Sequence, residues 1–169
     1  FMKEAANALL KVLEEPPAYA SIVLLAENPG ELLPTIRSRA GIFRLGAIPT
    51  EQIERLLAER RPQNKPAERA LIARLSEGAI GRAIGFDLDA WLASRADALV
   101  LLRNSTGQAD ATDLFRITET YRAGAEGQQK TEALLRTAAS LLEDLLLLKS
   151  ETPDLVRNID LQRELAAMA

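Results

Sequence analysis

The sequence predicts a mainly α fold, with a short α/β segment at its N-terminal end followed by two blocks of helices. Three observations predict it. Apolar residues recur at helical spacing through most of the 169 residues. Two short apolar runs, residues 21–26 and 42–45, break that pattern and have strand length. Hydrophobic residues make up 47% of the chain and aromatics 4%, so the core is one of Leu, Ala and Ile, as helical proteins favour.

Lys3 to Glu15 carries Ala5, Ala8, Leu9, Val12 and Leu13 at the spacing of a helix with one buried face. Pro16-Pro17 stops it, because proline supplies no amide donor and restricts the residue before it. Ser21 to Ala26, with β-branched Ile22 and Val23, suits a strand covered on both faces of a parallel sheet. An Asn28-Pro29-Gly30 turn follows, and Ile42 to Leu45 is a second short strand.

Gly46 to Pro49 is a linker, after which Thr50 is placed to cap a helix over Glu51–Glu59. Arg60 to Lys65 is a basic loop broken by proline. Pro66 suits the first turn of a helix running to about Glu77, and Gly78 ends it in a left-handed conformation. A short helix is expected at about Ile80–Gly85. In the last block Asp87 or Asp89 caps a helix marked by Leu88, Leu92, Leu99 and Leu102. Asn104 to Asp110 is loop-like, and Leu114, Ile117 and Tyr121 mark the next helix. Gly124 and Gly127 bracket a turn. Gln128 to Lys149 is the longest helix, with Leu134, Leu135, Ala138, Leu141, Leu142, Leu145 and Leu146 in its stripe. Domain boundaries are therefore expected at 1–47, 48–86 and 87–169.

Net charge is −3, which gives no whole-chain attraction to nucleic acid. The chain has no cysteine and no histidine, so disulfides and thiolate or imidazole metal sites are excluded. The run Leu145 to Leu148 is far too short to cross a bilayer, and no signal peptide heads these residues. No membrane association and a cytoplasmic address are the expectations.

The segment Leu33-Pro34-Thr35-Ile36-Arg37-Ser38-Arg39 is the most informative. Arg39 lies between the two apolar runs, at the rim of an α/β layer, where it can reach a neighbouring molecule. A guanidinium is always charged and presents a planar fork of donors suited to phosphate. On spacing alone, a surface arginine near a strand edge is the plainer reading.

The surrounding residues carry a resemblance. Asn7 to Pro17, reading Asn-Ala-Leu-Leu-Lys-Val-Leu-Glu-Glu-Pro-Pro, resembles the helix after the Walker B strand of clamp-loader ATPases. Ile22 to Asn28 is similar to their sensor 1 strand, and Ser38-Arg39-Ala40 to their Ser-Arg-Cys motif, with alanine for cysteine. The family is that of the bacterial DNA polymerase III clamp-loader subunits. The likeness is dense over residues 4–49, moderate over 50–86 and thin beyond.

The resemblance implies the remnant of an α/β P-loop (AAA+) ATPase layer, then a small helical lid and an all-α collar. It implies a stator-type subunit supporting ATP-dependent loading of a sliding clamp onto primer-template DNA. Arg39, with Ser38, is then a trans arginine finger at a neighbour's nucleotide. Asn28 takes the sensor 1 position, although a turn residue before Pro29 is the plainer reading. Gly78 to Ala83 resembles sensor 2, but the arginine, Arg82, comes one residue late, about 100° of helix rotation away. A solvated surface charge is the alternative for Arg82. Implied partners are other clamp-loader subunits of gamma/tau and delta type. ATP and Mg are expected at those neighbouring subunits, with no cofactor and no complete active site here.

Phe1-Met2-Lys3 leads into a helix with no strand before it, and one obvious strand cannot make an α/β layer. The expectation is an internal part of a longer protein, with its Walker A loop outside these residues. Two other readings stay open. One is an ATP-hydrolysing gamma/tau-like subunit. The other is an all-helical protein–protein adaptor. Glu14-Glu15 is read as a helix terminus, because adjacent helical residues do not face each other. Arg60, Arg61 and Lys65 are read as a solvated loop.

Overall fold

The computed structural model describes residues 3–105, 117, 121 and 124–169. Its contacts divide the chain into two units, Phe1–Leu45 and Gly46–Ala169. The second unit holds both helical blocks. Among the described residues the regular structure is helical, and no helix is long and apolar enough to cross a membrane.

In the first unit, α1 spans Lys3–Glu14. One further bond, Glu15 N–H to the Lys11 carbonyl at 3.2 Å, closes its last turn before Pro16. A 3-10 turn, Pro29–Glu31, and the one-turn helix α2, Pro34–Arg37, follow. Pro34 at the first position of α2 costs nothing there, because that N–H has no helical partner. Ile36, on α2, is buried.

The two expected strands do not form. Residues 21–26 and 42–45 adopt no regular structure, and Val23, Leu25, Phe43 and Leu45 are exposed by 80–94%. The reason is the pairing requirement. A parallel strand is held by ladder hydrogen bonds to flanking strands and by cover on both faces. Among the described residues neither run makes a ladder.

In the second unit, α3 spans Thr50–Arg60, α4 Pro66–Leu75 and α5 Ile80–Ile84. Thr50 is not the cap that the sequence suggests. Pro49 takes that place with an extended ψ of 142°, and its carbonyl accepts from Gln52 and Ile53 at 3.0 and 3.2 Å. Thr50 is thereby inside the first turn. At α4 the Glu68 carboxylate accepts from the Lys65 N–H at 2.9 Å, using a donor the helix leaves free.

Gly78 ends this helix pair as the pattern predicts, at φ +80°, preceded by Glu77 at φ +52°. The Gly78 carbonyl accepts from Ile48 N–H at 3.0 Å. A Cβ on Gly78 would stand 2.4 Å from the Ala47 Cβ and 2.8 Å from the Ile48 N. The linker therefore passes over a backbone where no side chain fits. Ile53, Leu57, Leu71, Ile72, Leu75, Ala83 and Leu88 form the first core, with Phe86 and Trp91 against it.

Asp87 is the cap of the next helix, accepting from Ala90 N–H at 3.0 Å. That helix, α6, spans Leu88–Ser105. It therefore runs through Asn104 and Ser105, which the sequence assigns to a loop. Of the expected helix around Leu114, only Ile117 and Tyr121 are described; Leu114 lies outside the described residues. Ile117 is buried, and Tyr121 packs on the second core. The longest helix, α7, spans Ala125–Lys149, so Gly127 lies in its first turn and not in the preceding turn. Two 3-10 turns, Pro153–Leu155 and Ile159–Leu161, lead to α8, Gln162–Ala166.

The second core is Ala98, Leu99, Leu134, Leu141 and Leu165. The leucine stripe of α7 is split. Leu134 and Leu141 are buried, while Leu135, Leu142 and Leu146 are 64%, 49% and 65% exposed. Between α7 and the returning chain lies a buried polar cluster. Asp144 accepts from Arg157 N–H at 2.9 Å, Asn158 N–H at 2.8 Å and Asn158 Nδ2 at 2.7 Å. Arg95 of α6 donates to Asn158 Oδ1 at 3.0 Å and pairs with Asp160. These bonds supply partners that a buried carboxylate and guanidinium require.

Candidate functional site

The first unit builds its site on a four-residue helix. Ser38 is the C-terminal cap residue of α2, in right-handed conformation, and its Oγ donates to the Thr35 carbonyl at 3.1 Å. Arg39 follows, with its N–H bonded to the Ile36 carbonyl at 3.1 Å. The backbone of Arg39 is therefore fixed by the last turn of α2, whose own position rests on buried Ile36.

The Arg39 side chain is held at its far end. Nη1 donates to the Thr35 carbonyl at 3.0 Å and meets Ser38 Oγ at 3.4 Å. Nη2 donates to Glu14 Oε1 at 2.7 Å. The guanidinium side chain remains 36% exposed. Its Nε–H makes no hydrogen bond among the described residues. A cation with spare donors and a solvent-facing edge is suited to an incoming phosphate.

Glu14 is the residue that sequence reasoning missed. It lies 25 positions from Arg39, at the end of α1, where the sequence alone reads it as a helix terminus. No spacing rule links the two positions; opposite charge is the sole signal that the sequence offers.

Asn28 lies in the same unit, as the residue before the 3-10 turn. Its Oδ1 accepts from Gly30 N–H at 2.8 Å, so this oxygen is engaged in its own turn. Arg82 lies in the second unit, on α5. Its Nη1 donates to Glu77 Oε2 at 2.7 Å. Glu77 Oε1 in turn receives Arg157 Nη1 at 2.8 Å, and Arg157 also pairs with Glu143. The chain Arg82–Glu77–Arg157–Glu143 lines one side of an open groove of about 1060 Å³ beside α6 and α7. In the same groove Tyr121 Oη donates to Asp97 Oδ2 at 2.7 Å. Burial, and then the Asp97 carboxylate beside it, push the Tyr121 phenol well above its ordinary value.

Comparison with known proteins bears on the whole. Residues 1–49 match the family described as DNA polymerase III, delta subunit. The delta-prime subunit of Escherichia coli DNA polymerase III is 34% identical over 143 residues, 84% of this chain and 40% of that protein. The tau subunit from the same organism is 40% identical over 82 residues, 46% of this chain and 13% of that protein. The delta-prime subunit of Pseudomonas aeruginosa is 57% identical over 35 residues, 21% of this chain and 11% of that protein. The matched stretches thus cover between 11% and 40% of the length of these relatives. No solved structure gives a significant match. The family match over residues 1–49 includes the α1 helix and the Ser38-Arg39 turn just described, and the delta-prime alignment runs through most of the rest. The chain is thus a homologue of the delta-prime and gamma/tau subunits of bacterial DNA polymerase III.

Proposed function

We propose that this chain is part of a delta-prime-type clamp-loader subunit, a stator in a multi-subunit ATPase that loads a sliding clamp onto primer-template DNA. Other subunits of gamma/tau and delta type are its direct partners. The clamp and the DNA are met through the assembly. ATP and Mg are bound and used at neighbouring subunits.

The observation that carries this reading is Arg39. It stands on the end of α2 with a half-held, solvent-facing guanidinium, in the Ser-Arg setting of the family. Placed at a neighbour's γ-phosphate, it would meet charge that develops on the phosphoryl oxygens during transfer. Trans arginines of this kind contribute about 10³–10⁵ in rate at their own site. Arg82 supports the stator reading over a nucleotide-reading lid. Its guanidinium is engaged by Glu77, and its helical phase differs by one residue from the sensor 2 pattern.

The test is Arg39→Ala in the full-length subunit, assembled with its partner subunits. DNA-stimulated ATP hydrolysis and clamp loading should fall while assembly is kept. The loss in the whole complex is smaller than at a single site, because other sites keep their own arginines. Arg39→Lys should be nearly as poor, since an ammonium lacks the planar fork. Unchanged hydrolysis in the Arg39→Ala complex would remove the finger. Arg82→Ala should leave hydrolysis near that of the unaltered complex; a large loss there would restore a sensor role for the lid.

A further inference from the structure

We infer that Glu14 is a positioning residue for Arg39: its carboxylate sets the guanidinium in advance, so that the free edge faces the neighbouring phosphate. This rests on the reading of Arg39 as a finger. The two residues come from separate segments, one ending α1 and the other following α2, and meet at 2.7 Å. Three groups hold the side chain through its two terminal nitrogens: Glu14 Oε1 at Nη2, and the Thr35 carbonyl and Ser38 Oγ at Nη1. The Nε–H has no acceptor among the described residues. The side chain is therefore partly ordered before any ligand arrives, and a phosphate can add to it without displacing the carboxylate.

Withholding is the competing role for a carboxylate on an arginine. It would require Glu14 to occupy the edge that the phosphate needs. The open Nε–H speaks against that, as does charge: a γ-phosphate carries more negative charge than one carboxylate. The pair is also partly exposed on both sides, 36% for Arg39 and 51% for Glu14. Exposed pairs are weak, and this one orients Arg39 more than it binds it. A fixed guanidinium loses less side-chain freedom when phosphate binds, so the effect belongs to the transition state and appears in kcat.

The experiment compares assembled complexes carrying Glu14→Ala, Glu14→Gln, Glu15→Ala, Arg39→Ala and the Glu14→Ala/Arg39→Ala pair. Glu14→Ala should lower the kcat of ATP hydrolysis at the neighbouring site about two- to fivefold, the worth of an exposed pair, with KM unchanged; the loss in the whole complex is smaller and does not exceed that of Arg39→Ala. Glu14→Gln keeps an oxygen acceptor and should recover most of the loss. Glu15, one position along, makes no ion pair among the described residues, and Glu15→Ala should match the unaltered complex. The double variant should be no worse than Arg39→Ala alone, because Glu14 acts through Arg39.

A double variant whose loss is the product of the two single losses would overturn the inference. So would an unchanged or raised kcat in Glu14→Ala, or an equal loss in Glu15→Ala. Failure of the finger reading looks different: Arg39→Ala itself would then leave the rate unchanged, and this inference would fall with it.

Discussion

Gly78 is fixed twice over, by a positive φ and by the Ala47 backbone lying where its Cβ would be. Gly78→Ala should therefore destabilise the chain by about 2 kcal/mol or more, read as a lower urea midpoint at unchanged m. Asp144 makes a similar prediction through polarity. It is fully buried and accepts three N–H groups from Arg157 and Asn158. Asp144→Ala strands those donors and should cost about 3 kcal/mol. Gly78 was legible in the sequence, because a glycine after a helical run has a local meaning. Asp144 was not, since its partners lie 13 and 14 residues further on in an irregular segment. The pairing of Arg39 with Glu14 was not legible either, because it depends on α1 and α2 meeting across 25 positions of sequence.

Among the elements, α7 carries the sharpest contrast. Leu141 is fully buried and Leu146 is 65% exposed on the same helix. Leu141→Ala should cost about 2–5 kcal/mol through lost burial and the cavity left behind. Leu146→Ala should change stability by no more than about 0.5 kcal/mol in the same denaturation series. Periodicity identified the helix but merged both leucines into one stripe, because Leu134, Leu135, Leu141 and Leu142 are adjacent pairs at the same spacing. Which member of each pair faces the core depends on where α6 packs. The expected strands failed for a related reason: an apolar run states what a segment can bury, not whether pairing partners are at hand. Tyr121 supplies a pH test. Its phenol is pushed above its ordinary value of 10.0, so it stays neutral in the fold after the unfolded chain has begun to ionise. The folded state then binds more protons, and this stabilisation is complete below pH 10 and lost as pH rises beyond it. Tyr121→Phe should show a shallower fall in stability above pH 10, measured by denaturant titration.

At the scale of the whole molecule, the chain divides into two units of different build. The first presents Arg39, and the second is a helical body with two cores. The fold class was legible because apolar spacing and composition both favour helices. The two units divide between Leu45 and Gly46. The chain has a single tryptophan, Trp91, which packs on the first core with its ring 5.7 Å from that of Phe86. Its fluorescence is therefore a local thermometer for α3, α4, α5 and the start of α6. Helical ellipticity, in contrast, sums over both units and is weighted towards α6 and α7. If the cores melt together, the two optical curves superimpose. If the second core loosens first, ellipticity falls while the indole emission is still at its folded wavelength, and one unlabelled sample reports the order of unfolding.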